Sequence, residues 1–315
     1  MILNLLSGLF NAGLGAGLRD GSRTLVLAVA LIWTVPASAA EQGAAQNHSG
    51  PAIWSIQNGE STVYLFGSVH LLKPETTWRT ERLDSLLRAA DHLVLEVDLK
   101  TNNPATLQKF MAERGMYGPD RSLKDALPAE LYAEVVTAAG NAGIPEPLLQ
   151  RMRPWYASLV VSMSMIKSLG FDPAQGVEQK IMAEMASHQA RITGLETVEQ
   201  QLSIFADQPE DVGVSMVRDA LRQFKDISDL LSALTASWSA GDLEELEKVL
   251  IGGFDPYPKL YKAVVVDRNK QWVPQIKALT TEPGVHLVVV GTAHLIGEDS
   301  VIRMLTDQGL KITRE

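Results

Sequence analysis

The order of apolar and polar residues predicts strands near both ends of the chain. Asn58-Gly59, a pair typical of a tight hairpin turn, separates two short apolar runs. Other apolar runs of four to seven residues have polar residues on either side, which predicts buried strands. The predicted strands cover residues 53–56, 62–66, 92–97, 191–195, 285–290 and 310–313.

The middle of the chain has a different pattern, in which apolar residues recur at the spacing of an α-helix and Pro and Gly residues separate one helix from the next. The predicted helices of this block are 104–114, 129–142, 154–169, 173–187, 198–206, 209–234 and 242–250, and those outside it are 78–90, 259–279 and 297–308. We therefore predict an α/β fold whose mixed sheet is formed by the N-terminal and C-terminal segments. A large helical insertion, or cap, covers about 103–253 within a domain spanning 51–315.

One short phrase occurs twice, as an apolar run followed by Gly, a small hydroxyl residue, a small apolar residue, His and two aliphatic residues. Gly67 and Gly291 permit a turn, or a close approach of the backbone, that a side chain would block. His70 and His294 would then stand at equivalent strand ends, where α/β sheets bind their ligands. The duplication predicts that the two imidazoles share one site for a metal ion or a polar ligand. The two copies are residues 64–72 and 288–296.

Glu96 lies inside a predicted buried strand, where a carboxylate is costly unless it pairs with a cation or binds one. Together with His70 and His294 it would form an open metal site that leaves room for water. The alternative is a buried ion pair between Glu96 and an arginine. Asp98 falls on the same face of the strand and would either support this site or face solvent.

Arg268 and Asn269 lie on the predicted helix 259–279, one turn before Trp272. Side chains of these types can stabilise a ligand anion or a developing oxyanion. A surface arginine beside a packed tryptophan is the alternative. Glu196 lies between a predicted strand and a predicted helix, where it would either cap the helix or support the site from behind.

The composition excludes several classes of protein. The chain has 315 residues, of which 46% are hydrophobic and 21% charged, as in an ordinary globular protein. It has no cysteine, which excludes a thiol nucleophile, a disulfide framework and a thiolate metal site. The net charge of −9 argues against nucleic acid as a partner. The four other histidines lack the repeated context and are interpreted as surface or packing residues; they are His48, His92, His188 and His286.

The amino-terminal residues predict export. An apolar run at 25–35 follows two arginines and precedes an Ala-x-Ala cleavage pattern. We predict a signal peptide at 1–40, cleaved near Ala39 or Ala40, then a disordered polar tether at 41–50 and a periplasmic or extracellular mature protein. The run is too short to span a bilayer as a mature anchor, so no stable membrane span is expected. An uncleaved anchor helix is the alternative.

Taken together, these motifs resemble the TraB/GumN family, with which the metal-dependent Tiki proteases are grouped. The resembling positions are Trp54-x-Ile56, the two Gly-x-x-His motifs, Leu95–Asp98, Gly194–Thr197 with Gln200 and Gln201, and Arg268-Asn269-x-x-Trp272. They extend over nearly the whole chain after residue 50. The resemblance implies a fold shared with erythromycin-esterase-like and ChaN-like proteins. It also implies a divalent metal, Mn or Co, with Zn or Fe as alternatives, and hydrolysis of peptide bonds.

The resemblance also assigns residues by position. His70, Glu96 and His294 match the metal or active-site positions of the family, and Arg268 and Asn269 match its Arg-Asn motif. Glu178 stands where relatives often have Asp, so the resemblance leaves its role open.

We predict from these observations an exported metal-dependent hydrolase that acts on a peptide or protein substrate. A metal held by His70, Glu96 and His294 would activate a water molecule, while Arg268 or Asn269 would stabilise the oxyanion. The helical block would hold the substrate. A rival hypothesis is a non-catalytic periplasmic protein that binds a metal or haem through the same histidines, as the ChaN resemblance allows. A purely structural family member is a third alternative, and the oligomeric state is not predicted.

Overall fold

The computed structural model of this chain describes residues 50–98, 103–223 and 226–315. The predicted signal peptide, and the predicted tether up to residue 49, lie outside the described residues. Among the residues that are described, no helix combines the length and the apolar character needed to cross a membrane.

The described chain contains six strands, and helices lie between most of them along the sequence. The strands are β1 (Ile53–Asn58), β2 (Ser61–Ser68), β3 (His92–Val97), β4 (Arg191–Glu196), β5 (Gly284–Gly291) and β6 (Ile312–Arg314). The helices up to β4 are α1 (Glu81–Ala89), α2 (Pro104–Phe110), α3 (Leu123–Ala126), α4 (Ala129–Asn141), α5 (Glu146–Arg151), α6 (Pro154–Ser168) and α7 (Val177–Ser187). Those after β4 are α8 (Val198–Ala206), α9 (Glu210–Gln223), α10 (Ile227–Ala240), α11 (Leu243–Leu250), α12 (Pro258–Tyr261), α13 (Asp267–Leu279) and α14 (Val301–Asp307). Short π-helical segments cover Met111–Gly115 and Lys262–Val266.

The strands form one mixed sheet in the order β4-β3-β5-β2-β1-β6. The four strands β4, β3, β5 and β2 are parallel to one another, whereas β1 and β6 are antiparallel to their neighbours. All of β3 and most of β5 are buried. That burial explains their unbroken apolar runs, since parallel strands are covered on both faces. The predicted α/β class, with a sheet built mainly from both ends of the chain, is confirmed.

The predicted hairpin joins β1 and β2, and its turn is one residue later than the Asn58-Gly59 signal suggests. Asn58 pairs with Ser61, so the two loop residues are Gly59 and Glu60. Gly59 has a φ of +58°, which glycine adopts at little cost and other residues rarely adopt. The sequence signal therefore located the turn correctly and misplaced its centre by one position.

The described chain divides into two compact units. One, the helical unit, contains residues 103–175 and 197–228, apart from the two that are not described; the other, the sheet unit, contains residues 50–98, 176–196 and 229–315. The predicted helical block of 103–253 is thus divided between the two, because β4, α7 and the helices after residue 229 belong to the sheet unit. The predicted helix 209–234 corresponds to two helices, α9 and α10, and the second continues to Ala240.

Candidate functional site

The polar residues singled out in the sequence meet at the carboxyl-terminal edge of the parallel strands. Glu96 is near the end of β3 and Glu196 is the last residue of β4. His70 follows β2 by two residues, and His294 follows β5 by three. Because parallel strands end at the same edge, residues far apart in the sequence are brought together there. All of them belong to the sheet unit.

Gly291 marks the centre of the site. A Cβ atom at this position would stand 3.2 Å from Glu96 Oε1, 3.6 Å from His294 Cδ2 and 3.8 Å from His70 Nε2. The missing side chain therefore leaves a small space that the three predicted ligand residues surround. The structure thus brings together His70, Glu96 and His294, as the duplicated motif predicted, while their binding of a metal stays a prediction.

Glu96 is buried and both of its carboxylate oxygens are engaged. Oε1 accepts a hydrogen bond from the Gly291 backbone N–H at 2.7 Å, and Oε2 accepts one from Arg268 Nη2 at 2.7 Å. Burial by itself would raise the pKa of Glu96, but the positive charge of Arg268 holds that pKa well below its usual range. Glu96 is therefore ionised, and the buried ion pair raised as an alternative in the sequence analysis is present.

Arg268 directs all five of its N–H groups to protein acceptors. Its Nε and Nη2 donate to the carboxylate of Glu196, with the shortest contact at 2.8 Å, and Nη2 also donates to Glu96. Its Nη1 donates to Val264 O at 3.1 Å and to His294 Nε2 at 2.9 Å. The guanidinium also lies 4.4 Å from the ring centre of Trp272. In this arrangement Arg268 acts as a fixed cation within the site, with its donors committed to the protein.

The hydrogen bonds of His294 define its tautomer. Arginine only donates, so Nε2 of His294 must accept from Arg268 and Nδ1 must carry the hydrogen. Nδ1 then donates to Asn269 Oδ1 at 2.7 Å, while Asn269 Nδ2 donates to the backbone carbonyl of Asp299 at 2.7 Å. Burial, followed by the charge of Arg268, lowers the pKa of His294 to about 3, so the ring is neutral. Asn269 therefore orients a histidine in this structure.

His70 has a comparable arrangement with a charged partner. Its Nδ1 lies 2.6 Å from Glu178 Oε1, and 34% of its side chain is exposed to solvent. Burial tends to lower the pKa of His70, but the carboxylate of Glu178 raises it above its usual value. Glu178 is itself buried and also accepts a hydrogen bond from Ser68 Oγ at 2.5 Å. The sequence analysis left Glu178 without a role, and its position in the first turn of α7 was the only local signal.

The glycine and hydroxyl residues of the two motifs brace one another. A Cβ atom at Gly67 would come within 3.0 Å of Thr292 Oγ1, so this position requires glycine for close packing. Thr292 Oγ1 donates to Ser68 O at 2.9 Å, and Trp238 Nε1 donates to Gly67 O at 2.8 Å. The first motif is thereby fixed to the second through the hydroxyl of Thr292, whereas the hydroxyl of Ser68 donates to Glu178.

Asp98 and Glu196 occupy adjacent strand ends. The backbone N–H of Asp98 donates to Glu196 O at 2.8 Å, directly after β3. A Cβ atom at Gly194 would lie 2.0 Å from Asp98 N, so the two strands approach as closely as a glycine allows. The side chain of Glu196 pairs with Arg268, whereas Thr197 caps α8 by accepting from Gln200 N. The helix cap is therefore Thr197, and a supporting role of Glu196 in a functional site stays a prediction.

The side chains around Gly291 are of the types that bind divalent cations, but in this structure they are held by one another. Each imidazole has a Nδ1 partner, as metal-binding histidines usually have; Nε2 of His70 faces Gly291, whereas Nε2 of His294 accepts from Arg268. Nε2 of His294 lies 4.0 Å from Glu96 Oε1. However, within the described residues no three His, Asp or Glu side chains are grouped closely enough to hold a metal. A metal on His294 would require Arg268 to leave Nε2.

Comparison with known proteins supports the resemblance that these motifs indicated. The chain is 23% identical over 259 residues to a protein called "Uncharacterized protein YbaP" in Escherichia coli strain K12, an alignment that covers 82% of this chain and 93% of that protein. The protein of the same name in Shigella flexneri matches with the same identity and coverage. No solved structure matches the chain. The model of the TraB/PrgY/gumN family matches residues 52–314, which contain both Gly-x-x-His motifs, Glu96 and Arg268. The family resemblance of the motifs is therefore confirmed, and the chain belongs to the TraB/PrgY/gumN family.

Proposed function

We propose that this chain is a metal-dependent hydrolase that activates a water molecule beside Gly291. One observation carries the proposal: His70, Glu96 and His294 come from three different strand ends and surround the same small space. Two imidazoles and a carboxylate around a space of this kind are a common setting for hydrolytic chemistry. A peptide or protein is the substrate we propose, because its carbonyl groups are the electrophiles that an activated water attacks.

The proposed site assigns a separate task to each side chain. His70, which is partly exposed, is the group most accessible to an incoming water or substrate. Its Nε2 faces the space at Gly291 and would be a ligand of the proposed metal, so its one lone pair is not available to take a proton from the water. Glu96 and His294 would hold the metal from the other side, and Asn269 would keep the His294 ring in its present orientation.

Arg268 would act through its charge. Its N–H groups are committed to Glu96, Glu196, His294 and Val264, so its positive charge is held at a fixed place in a buried site. A fixed cation close to the reacting carbonyl stabilises negative charge that develops there. A metal on His294 would replace the Nη1 contact with that ring, while the contacts with Glu96 and Glu196 would keep the guanidinium in place. This task differs from the direct donation to an oxyanion that the sequence pattern suggested for Arg268 or Asn269.

His70, Glu96 and His294 would hold the proposed metal, which would be Mn, Co, Zn or Fe. When bound, it would lower the pKa of a coordinated water toward neutrality and polarise a substrate carbonyl. Glu178 and Asn269 would support the two histidines from behind, as carboxylates and amides do in known metal sites.

The test combines metal analysis with a search for turnover. The purified full chain, incubated with Mn²⁺ or Co²⁺ and desalted, should retain about one metal ion, and it should cleave members of a mixed peptide library followed by mass spectrometry. His70→Ala and His294→Ala should lose both properties. His188→Ala is a matched control, because His188 is exposed at the end of α7. Metal retained without any cleavage would favour the rival metal- or haem-binding function, and absence of both would reject the proposal.

Export is part of the same proposal, and the basis for it is the amino-terminal pattern of basic residues, an apolar run and an Ala-x-Ala site. Amino-terminal sequencing of protein recovered from a bacterial periplasm should give Glu41 or a neighbouring residue as the first residue. Recovery of the intact amino terminus in the cytoplasm or in the membrane fraction would contradict it.

A further inference from the structure

Glu178 lies at the amino-terminal end of α7 and reaches into the candidate site. Its Oε1 lies 2.6 Å from His70 Nδ1 and accepts from Ser68 Oγ at 2.5 Å. The residue before it is fixed to the first motif as well, because the Val177 backbone N–H donates to Val69 O at 3.2 Å. The start of α7 is therefore attached to the loop that carries His70 at two points.

The charge state of Glu178 follows from its surroundings. Glutamic acid is a stronger acid than the imidazolium ion, so in a contact between the two the hydrogen belongs to the imidazole. A carboxylate in the first turn of a helix is also favoured by the helix dipole. An ionised carboxylate offers no hydrogen, so Nδ1 of His70 carries the one that faces Glu178, in an ion-pair contact of 2.6 Å rather than an aligned hydrogen bond.

We infer that Glu178 is a positioning residue, which fixes His70 as its Nδ1–H tautomer and thereby leaves the Nε2 lone pair directed at Gly291. Ser68 has a supporting part, since its hydroxyl donates to Oε1, the same carboxylate oxygen that contacts the imidazole. The consequence for catalysis rests on the proposed function, because only a hydrolase or a metal site uses the Nε2 lone pair. The tautomer itself is a property of the chain alone.

The two copies of the motif differ in the group that orients the histidine. Asn269, a neutral amide, orients His294, whereas an anion orients His70. A carboxylate interacts more strongly with an imidazole N–H than a neutral amide does, so the two rings differ in the electron density at Nε2. Of the two histidines, His70 is therefore the one equipped to accept a proton or to donate electron density to a cation.

The test measures the tautomer directly, in the absence of metal and substrate. The full chain, labelled with ¹⁵N-histidine and kept at pH 9, is examined by long-range ¹H–¹⁵N correlation, and His70→Ala identifies the His70 signals. We expect a protonated Nδ1 and an unprotonated Nε2 in the wild type. A protonated Nε2, either in the other tautomer or in a doubly protonated ring, overturns the inference.

Variants of Glu178 distinguish a positioning role of this residue from a merely structural contact. In Glu178→Gln the His70 ring should no longer be held in one tautomer, because an amide can donate as well as accept. Co²⁺ binding should weaken by roughly 10- to 100-fold. Glu178→Asp should restore part of both properties. Glu184→Gln on the same helix is the control, since Glu184 pairs with Arg79 on the surface and should change neither. A folded Glu178→Gln protein with an unchanged His70 tautomer overturns the inference.

Two further outcomes are informative if Glu178→Gln does not fold. The wild-type spectrum decides the tautomer without any variant. Ser68→Ala keeps the carboxylate and removes only its hydroxyl partner, so it should preserve the tautomer and weaken Co²⁺ binding by a factor of a few. If Ser68→Ala binds Co²⁺ as tightly as the wild type, Ser68 has no part in positioning His70. If the tautomer behaves as expected but no peptide is ever cleaved, the positioning role stands and the proposed function fails alone.

Discussion

The two ends of the parallel strands each hold a pair of histidines, and the pairs are built in opposite ways. At the carboxyl end, His70 and His294 have separate Nδ1 partners and their rings both border Gly291, with Nε2 of His70 facing that space and Nε2 of His294 accepting from Arg268. At the amino end, His92 and His286 face each other on adjacent strands, with their Nδ1 atoms 3.2 Å apart. One pair is directed at a common space, and the other is directed at itself.

The hydrogen bonds of the amino-end pair leave no nitrogen for a ligand. His286 Nε2 lies 2.9 Å from the carbonyl of Glu282, so it carries a hydrogen and its Nδ1 accepts from His92 Nδ1. His92 Nε2 then accepts from Thr193 Oγ1 at 2.8 Å. Both rings are buried, and all four nitrogens have protein partners. Buried histidines are therefore not in themselves a sign of function; the direction of their unprotonated nitrogens is what distinguishes the two ends.

The largest expected effect concerns the cation at the carboxyl end. Arg268→Met removes the positive charge between Glu96 and Glu196, and an uncompensated buried carboxylate costs about 3–5 kcal/mol. Urea unfolding at pH 7 should register this loss. The matched control is Arg191→Met at the amino end, because Arg191 and Glu282 form an exposed pair worth about 0–1 kcal/mol. Similar losses in the two variants would contradict the view that charge is concentrated at the site.

Gly291→Ala should have the next largest effect, and it tests the space itself. The added Cβ would stand 3.2 Å from Glu96 Oε1 in a site whose groups are all fixed by hydrogen bonds, so crowding should cost about 1–3 kcal/mol. Co²⁺ binding, measured by titration calorimetry, should fall at least tenfold. Gly252→Ala is the control, because a Cβ there meets no atom within 4 Å. Undiminished Co²⁺ affinity in Gly291→Ala would place any metal elsewhere.

Acid should weaken the amino end in a way that depends on His92. Burial, together with the charge of Arg191 and the neighbouring His286, lowers the pKa of His92 to about 4, whereas an unfolded histidine titrates near about 6.5. Between these values the unfolded chain binds more protons, so the stabilisation is complete above about pH 6.5 and is lost as the pH falls toward 4.

For one proton the slope from this source is at most about 1.4 kcal/mol per pH unit. Unfolding by urea at a series of pH values should give a shallower slope for His92→Gln than for the wild type. His188→Gln, at an exposed position, should follow the wild type. Equal slopes for all three proteins would mean that His92 takes up no proton on unfolding.

The sequence predicted those parts of the molecule that depend on local patterns. Turn residues and apolar runs gave the hairpin and the buried strands, and the duplicated phrase brought His70 and His294 together correctly. The resemblance drew attention to Glu178 but left its role open, because its partner lies 108 positions earlier in the chain and such a contact leaves no local pattern. An ion pair of Glu96 with an arginine was raised without identifying Arg268, since the acceptors of Arg268 come from β3, β4 and the segment after β5.

The contact between the two histidines at the amino end is a second feature that the sequence did not predict. His92 and His286 were interpreted as surface or packing residues, and both are indeed buried. Their contact depends on the parallel register of β3 and β5, which pairs these two positions and which no residue pattern in either strand encodes. Periodicity predicts which residues are buried, whereas register decides which of them touch.

The smallest expected effect tests whether the amino-end pair is fully satisfied, as its geometry indicates. Thr193→Val keeps the shape of the side chain and removes the hydroxyl that donates to His92 Nε2, so stability should fall by about 1 kcal/mol. Thr281→Val is the control, because the Thr281 hydroxyl is exposed and bonds only its own helix end. A loss well above that of the control would show that a ring nitrogen without a partner is costly at this end. At the carboxyl end the nitrogen that faces Gly291 is Nε2 of His70, in a partly exposed ring that a ligand can reach, which is the physical reason for seeking a ligand at Gly291 and none between His92 and His286.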